Sequence, residues 1–140
     1  TALDVTTQAQ VLEEIRELQQ ELRMAMILVT HDLGVVAETC ARALVMYCGV
    51  IVESGSTAQL FTRPHHPYTV GLLASIPRIR EEKLPELPVI PGRVPDLARL
   101  PPGCRFADRC PRVSAICRAT EPRLLPTAEG GLVACHHPHD

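Results

Sequence analysis

The chain has 140 residues, 46% of them hydrophobic, and a formal net charge of -2. That is enough apolar side chain for one ordinary domain, or a small domain with an appendage, and it excludes a disordered tail. The charge excludes a main partner made of nucleic acid, which calls for clustered excess Lys and Arg. The longest apolar run, MAMILV at residues 24–29, falls far short of the roughly 18 to 20 residues that cross a bilayer.

The first residues, TALD, have none of the basic, apolar and small-residue regions of a signal peptide, and the chain is expected to be cut from something longer. From residue 6 to about 23, Val11, Ile15, Leu18 and Leu22 recur at helical spacing, with Glu13, Glu14, Glu17 and Gln20 on the other face; this predicts an amphipathic helix. MILVT, residues 26–30, does not alternate and is too short for a core helix, so it reads as a buried strand. After His31, the positions Leu33, Val36, Ala37 and Cys40 return to helical spacing. ALVMY is a second strand candidate, and Gly49 separates it from a third, VIVES. Cys40 and Cys48 read as core residues. A helix-strand-helix-strand order predicts an α/β architecture with a largely parallel sheet. Ligands of such folds sit beyond the carboxyl ends of strands, where His31 lies.

Ser56-Thr-Ala-Gln59 predicts a capping box opening a short helix. A second short helix follows, with Pro67 in its first turn and Pro77 as its stop. All thirteen prolines lie from Pro64 onward, so the regular part should come first. The boundary is placed near Pro77, giving domains 1–77 and 78–140.

A lone histidine beside an apolar strand is commonly a satisfied structural residue. No Cys or His follows His31 at i+3 or i+4, and no Gly-x-Ser-x-Gly element accompanies it, so helical metal-pair and hydrolase-triad readings are poor. An imidazole directed at a ligand remains, with phosphate the natural choice. Asp4, read the same way, is a good cap for the helix that follows it.

TALDVTTQAQVLEEI followed by ILVTHDLGVVAETCARALVMYCGVIVESG resembles the C-terminal third of an ABC-transporter ATPase, beginning just after the Walker B carboxylates. The resemblance implies that Ala2-Leu3-Asp4 is the D-loop, which crosses the dimer interface, and that His31 is the switch histidine. It would contact the ATP γ-phosphate and help hold the attacking water. Phosphoryl transfer needs groups of that kind, which stabilise charge and fix the in-line water. Further on, FTRPHHPYTVGLLASIPR, PGRVP at residues 91–95 and Pro102-Gly103-Cys104 are similar to the peptide and nickel importer class of these ATPases. Without the family, His65, His66 and Tyr68 are ordinary loop and cap residues that pack the extension.

The final segment carries Cys104, Cys110, Cys117 and Cys135 in a C-x5-C-x6-C-x17-C spacing. So Pro-rich a unit calls for a cross-link. Disulfides suit a secreted chain, zinc would take four thiolates although paired C-x2-C knuckles are missing, and packed thiols are the bland alternative. An iron-sulfur cluster tolerates more varied spacing, and the resemblance favours a 4Fe-4S cluster here. Arg99, Arg105, Arg109, Arg112, Arg118 and Arg123 surround the first three cysteines and are expected to lower their thiol pKa values. His136 and His137 are spare ligands.

The resemblance thus implies the C-terminal part of a P-loop ABC ATPase domain, with parallel strands and helices, followed by an irregular Pro- and Cys-rich extension. It implies a subunit coupling ATP hydrolysis, with Mg, to import of di- or oligopeptides, lying peripherally on the cytoplasmic face of the membrane. Its partners would be a second ATPase subunit, two membrane permeases and, indirectly, an extracytoplasmic binding protein. The sequence has no Gly-x4-Gly-Lys-Ser/Thr loop, Ser-Gly-Gly-Gln signature or Walker B Asp-Glu, so this stretch alone is expected to be inactive. The other function class is a metal- or iron-sulfur-binding regulatory module built on the four cysteines.

Overall fold

The computed structural model describes residues 4–77 and 88–140. Ala2 and Leu3 of the expected D-loop, and the expected start of the second domain at residue 78, lie outside the described residues. The chain forms two compact units, Thr1–Ala41 and Arg42–Asp140.

In the first unit, α1 (Val5–Leu22) follows the predicted periodicity and closes at Arg23, whose φ of 50° turns its N–H onto the carbonyls of Gln19 and Gln20. A second helix, α2 (Leu33–Thr39), is capped by Asp32, which accepts hydrogen bonds from the N–H groups of Gly34 and Val35 at 2.8 and 3.2 Å. The strand expected at residues 26–30 does not form: among the described residues of this unit there are two helices and no strand, and Ile27 and Val29 are each 92% exposed. An apolar run advertises burial, but a strand exists only where a neighbour completes its ladder.

The second unit begins with β1 (Arg42–Tyr47) and β2 (Val50–Ser56), close to the two expected strands. Cys48 and Gly49 join them with φ values of 47° and 82°. Positive φ at both central residues is the mark of a two-residue hairpin turn whose twist suits the strands. So short a connection permits only antiparallel pairing, which corrects the expected parallel sheet. With β3 (Leu125–Pro126) and β4 (Leu132–Val133), the order is β1-β2-β4-β3, antiparallel throughout.

The hairpin contains one irregularity. Tyr47 pairs with Val50 and Met46 with Ile51, but Val45 pairs with Glu53, leaving Val52 as an extra residue. Continued without that bulge, the register would put Glu53 opposite Leu44, which is 64% exposed. The bulge instead puts it opposite Val45, on the face of the core, because paired residues of an antiparallel ladder point the same way. Residues 52–55 are consequently buried one after another, and Glu53 is 1% exposed.

Ser56 caps α3 (Thr57–Thr62) by accepting from the Gln59 N–H at 3.2 Å. The Gln59 side chain turns away toward the Thr127 hydroxyl at 3.4 Å. Next, α4 (Pro67–Ala74) carries Pro67 in its first turn as expected. Beyond residue 88 come a 3-10 turn (Ala107–Arg109) and α5 (Ala115–Ala119).

Tyr47, Val52 and Phe106 form the core, with Val45, Tyr68, Ile90, Cys104 and Cys110 packed around them. The ring centroid of Tyr47 lies 4.7 Å from Tyr68 and 5.2 Å from Phe106, the latter edge-on, and Tyr68 is 5.5 Å from Phe106. Such pairs add roughly 0.5–1.5 kcal/mol each beyond the area they bury. This core therefore takes its rings from the hairpin, α4 and the Cys-rich segment alike.

Candidate functional site

Asp4 is the N-cap of α1. Its carboxylate accepts from the Thr7 N–H at 2.9 Å and the Thr7 hydroxyl at 2.7 Å, and those bonds, the backbone one foremost, hold its pKa below the ordinary carboxylate value. His31 is exposed, at a bend immediately before α2. Its neighbours Thr30 and Asp32 make the local bonds, with the Asp32 N–H donating to the Thr30 hydroxyl at 3.0 Å.

The His65-His66-Pro67-Tyr68 stretch is organised around Glu53. One carboxylate oxygen accepts from the His65 N–H at 2.6 Å, the other from the His66 N–H at 3.0 Å. The buried charge is thus met by two backbone donors at the approach to α4, where positive dipole density favours an anion. His66 is the N-cap itself: Nδ1 accepts from the Tyr68 N–H at 3.0 Å, and the ring lies 5.8 Å from Phe106. Burial, with a smaller push from His139, brings its pKa down to about 4, so it is neutral at pH 7. These residues build the fold, as their cap-and-packing reading anticipated.

Burial above all, and the neighbouring cysteines to a lesser degree, push the thiols of Cys135 and Cys104 up: Cys104, Cys110 and Cys117 contribute at Cys135, and Cys110 and Cys117 at Cys104. The sulfurs collect donors: the Arg112 N–H reaches Cys110 Sγ at 3.4 Å, the His137 N–H reaches Cys135 Sγ at 3.3 Å, and the Ser114 hydroxyl lies 3.5 Å from Cys117 Sγ. The Ala107 N–H donates to the Cys104 carbonyl at 3.0 Å. Even so, among the described residues no group of three or more His, Cys, Asp or Glu side chains is placed to hold a metal ion. That placement gives no support to a bound zinc ion or iron-sulfur cluster.

Residues 52–117, which contain Glu53, the HHPY stretch and three of these cysteines, match the family described as "Oligopeptide/dipeptide transporter, C-terminal region". They belong to that family. The chain is also 51% identical over 135 residues to the oligopeptide transport ATP-binding protein AppD of Bacillus subtilis, covering 96% of this chain and 41% of that protein. It is 50% identical over 135 residues to "Probable peptide ABC transporter ATP-binding protein y4tR" of Sinorhizobium fredii, covering 96% of this chain and 40% of the relative. The chain thus spans about two fifths of the length of the curated relatives it matches.

Within the oligopeptide/dipeptide transporter region, Cys104, Cys110 and Cys117 lie inside the match, while Cys135, His31 and Asp4 lie outside it. The expected lowering by arginine does not prevail at Cys104, Cys110 or Cys135. Burial raises Cys104, Cys110 and Cys135, the last to about 11, and Arg112 offsets only part of the rise at Cys110. The arginines are engaged elsewhere: Arg105 with Glu121 at 3.2 Å and the Cys48 carbonyl at 2.6 Å, Arg118 with Asp108 at 2.6 Å. Arg109 clamps the carbonyls of Ile90 and Pro91 at 3.0 and 2.9 Å and the Tyr47 hydroxyl at 3.3 Å. Sequence reasoning missed Glu53 and Arg109; a lone carboxylate directly after the apolar run Val50-Ile51-Val52 was the available signal for the first.

Proposed function

We propose that this chain is part of the ATPase subunit of a peptide importer, coupling ATP binding and hydrolysis to peptide movement across the cytoplasmic membrane. The observation that carries this is identity of about half over 96% of the chain with proteins named for peptide transport and ATP binding. The exposure of His31 ahead of α2 is compatible with the role: Asp32 does the capping, which leaves the imidazole for a ligand. In this reading the ring donates to the γ-phosphate oxygens and steadies the attacking water. Mg, when bound, would neutralise phosphate charge. Asp4 would order the start of α1 while its loop meets a second ATPase subunit. Domains 1–77 and 78–140 would be the ATPase part and the extension. The subunit would sit peripherally on the cytoplasmic face, against two permeases served by an extracytoplasmic binding protein, and the choice among dipeptides, longer peptides and nickel would be theirs.

These 140 residues contain no phosphate-binding loop, so on their own they should not hydrolyse ATP. In the intact subunit, His31→Ala should abolish most turnover and leave ATP binding within a few-fold. Undiminished turnover, or lost binding, would overturn the assignment.

A second reading rests on the donors gathered at the thiols: Cys104, Cys110, Cys117 and Cys135 would hold a 4Fe-4S cluster, a one-electron group that also cross-links the segment. Anaerobic purification with iron, sulfide and zinc analysis tests it. Iron with sulfide supports it, and protein free of both refutes it.

A further inference from the structure

Three segments of the second unit meet at His65: the approach to α4, the turn between β3 and β4, and the carboxyl-terminal tail. The His139 N–H donates to the His65 carbonyl at 2.8 Å, and His65 Nδ1 lies 2.6 Å from the His139 carbonyl oxygen. A carbonyl only accepts, so Nδ1 carries the ring proton and the neutral ring keeps its lone pair on Nε2. That nitrogen is buried, has no hydrogen-bond partner, and lies 3.2 Å from Glu129 Oε2. Two acceptors thus face each other with no hydrogen between them.

Each is held there by its own element. Glu53 fixes the backbone of His65 by accepting its N–H at 2.6 Å. The turn that carries Glu129 is closed by the Thr127 N–H on the Gly131 carbonyl at 2.9 Å and the Gly131 N–H on the Thr127 hydroxyl at 3.1 Å. His65 is 6% exposed, whereas the Glu129 side chain keeps 29% of its exposure and opens the pair to solvent on that side.

We propose that His65 Nε2 and Glu129 Oε2 are ligands of a site for a divalent first-row transition cation, of which Zn²⁺ is the simplest probe. An imidazole whose Nδ1–H is tied to a backbone carbonyl is the tautomer that presents Nε2 to a metal. Zinc bonds of about 2.0–2.2 Å at the tetrahedral angle set neighbouring ligand atoms about 3.3–3.5 Å apart, close to the 3.2 Å found here. A cation between the two acceptors replaces their repulsion with two bonds, and imidazole with carboxylate suits zinc and its neighbours. No third His, Cys, Asp or Glu side chain joins them among the described residues, so water completes the coordination from the open side of Glu129. Arg63, 3.6 Å from Glu129 Oε1, opposes the incoming charge. The bound cation would staple the approach to α4 onto the β3–β4 turn.

Titration of the full chain with Zn²⁺, followed by the NMR signals of the His65 ring and the Gly130 amide, reads this site apart from the cysteines. The two signals should respond together. Glu129→Gln, a half-exposed change that keeps the fold, should weaken the Gly130 response by about tenfold or more, as should His65→Gln, whose amide can still donate to the His139 carbonyl. Arg63→Gln should tighten it about two- to fivefold. Signals at His65 and Gly130 that stay unmoved up to about 1 mM Zn²⁺, the limit of weak binding, overturn the site. So does a Gly130 response that either Gln variant weakens by less than tenfold, or one that Arg63→Gln fails to tighten.

Discussion

His66→Asn removes a buried imidazole that the fold keeps from taking a proton. In the folded chain His66 is 1% exposed, and its pKa falls from 6.5 to about 4, through burial first and the charge of His139 second. The unfolded chain binds the proton at the ordinary value. Because the folded pKa is the lower one, the stability linked to His66 is complete above about pH 6.5 and is lost as pH falls toward 4. At 1.36 kcal/mol per pKa unit this amounts to about 3 kcal/mol. Asparagine keeps an acceptor for the Tyr68 N–H and is a favoured N-cap, but it lacks the ring packed on Phe106 and does not titrate. The variant should be the weaker protein at pH 7.5, by about 1–2 kcal/mol, and should recover about 3 kcal/mol relative to wild type by pH 4. Urea unfolding at four pH values, followed by tyrosine emission, measures this. The chain has no Trp and only two Tyr, and both tyrosines lie in or against this core. Stability-pH curves that run parallel for the two proteins would refute the reasoning.

Substitutions at three further sites have definite expected costs. Glu53→Ala leaves the His65 and His66 N–H groups buried without acceptors and should cost roughly 2–4 kcal/mol, read as a lower urea midpoint at unchanged m-value; Glu53→Gln, which keeps one acceptor oxygen, should cost about half. Gly103→Ala would bring a Cβ within 2.3 Å of the Cys117 carbonyl oxygen and 2.6 Å of the Arg118 carbonyl carbon. Those are backbone atoms, and the Cys104 N–H bond to the Cys117 oxygen at 2.7 Å would have to break. A loss of about 2–4 kcal/mol is expected by thermal or urea unfolding. Gly130→Ala, with open space but a φ of 83°, should cost only about 1–2 kcal/mol, since left-handed backbone is its sole obstacle.

Local rules made much of this fold legible. The periods of α1 and α2, the Ser56 cap, Pro67 in the first turn of α4 and Gly49 between two strands all follow from short-range chemistry. Strand direction did not follow, because VIVES announces a buried strand without naming its neighbour, and the two-residue turn decided the pairing. MILVT had the composition of a buried strand but finds no ladder among the described residues of its unit. The site showed the same division. Asp4 could be placed at a helix start by spacing alone, whereas His31, expected at the end of a strand, lies at a bend ahead of α2. The raised thiols could not be foreseen, since whether an arginine lowers a cysteine depends on what else it binds, and Arg105, Arg109 and Arg118 have closer partners.

The bulge at Val52 makes β2 unequally tolerant of changes in length. Loss of one residue between Val50 and Glu53 would iron the bulge out and still leave Glu53 opposite Val45, at the expense of one core side chain. Gain of one residue there would carry Glu53 past Val45 to the place opposite Leu44, turning its carboxylate outward and leaving the His65 and His66 amides without a partner. Among descendants of this sequence, shortened versions of the strand should therefore survive more often than lengthened ones, and substitutions more often than either.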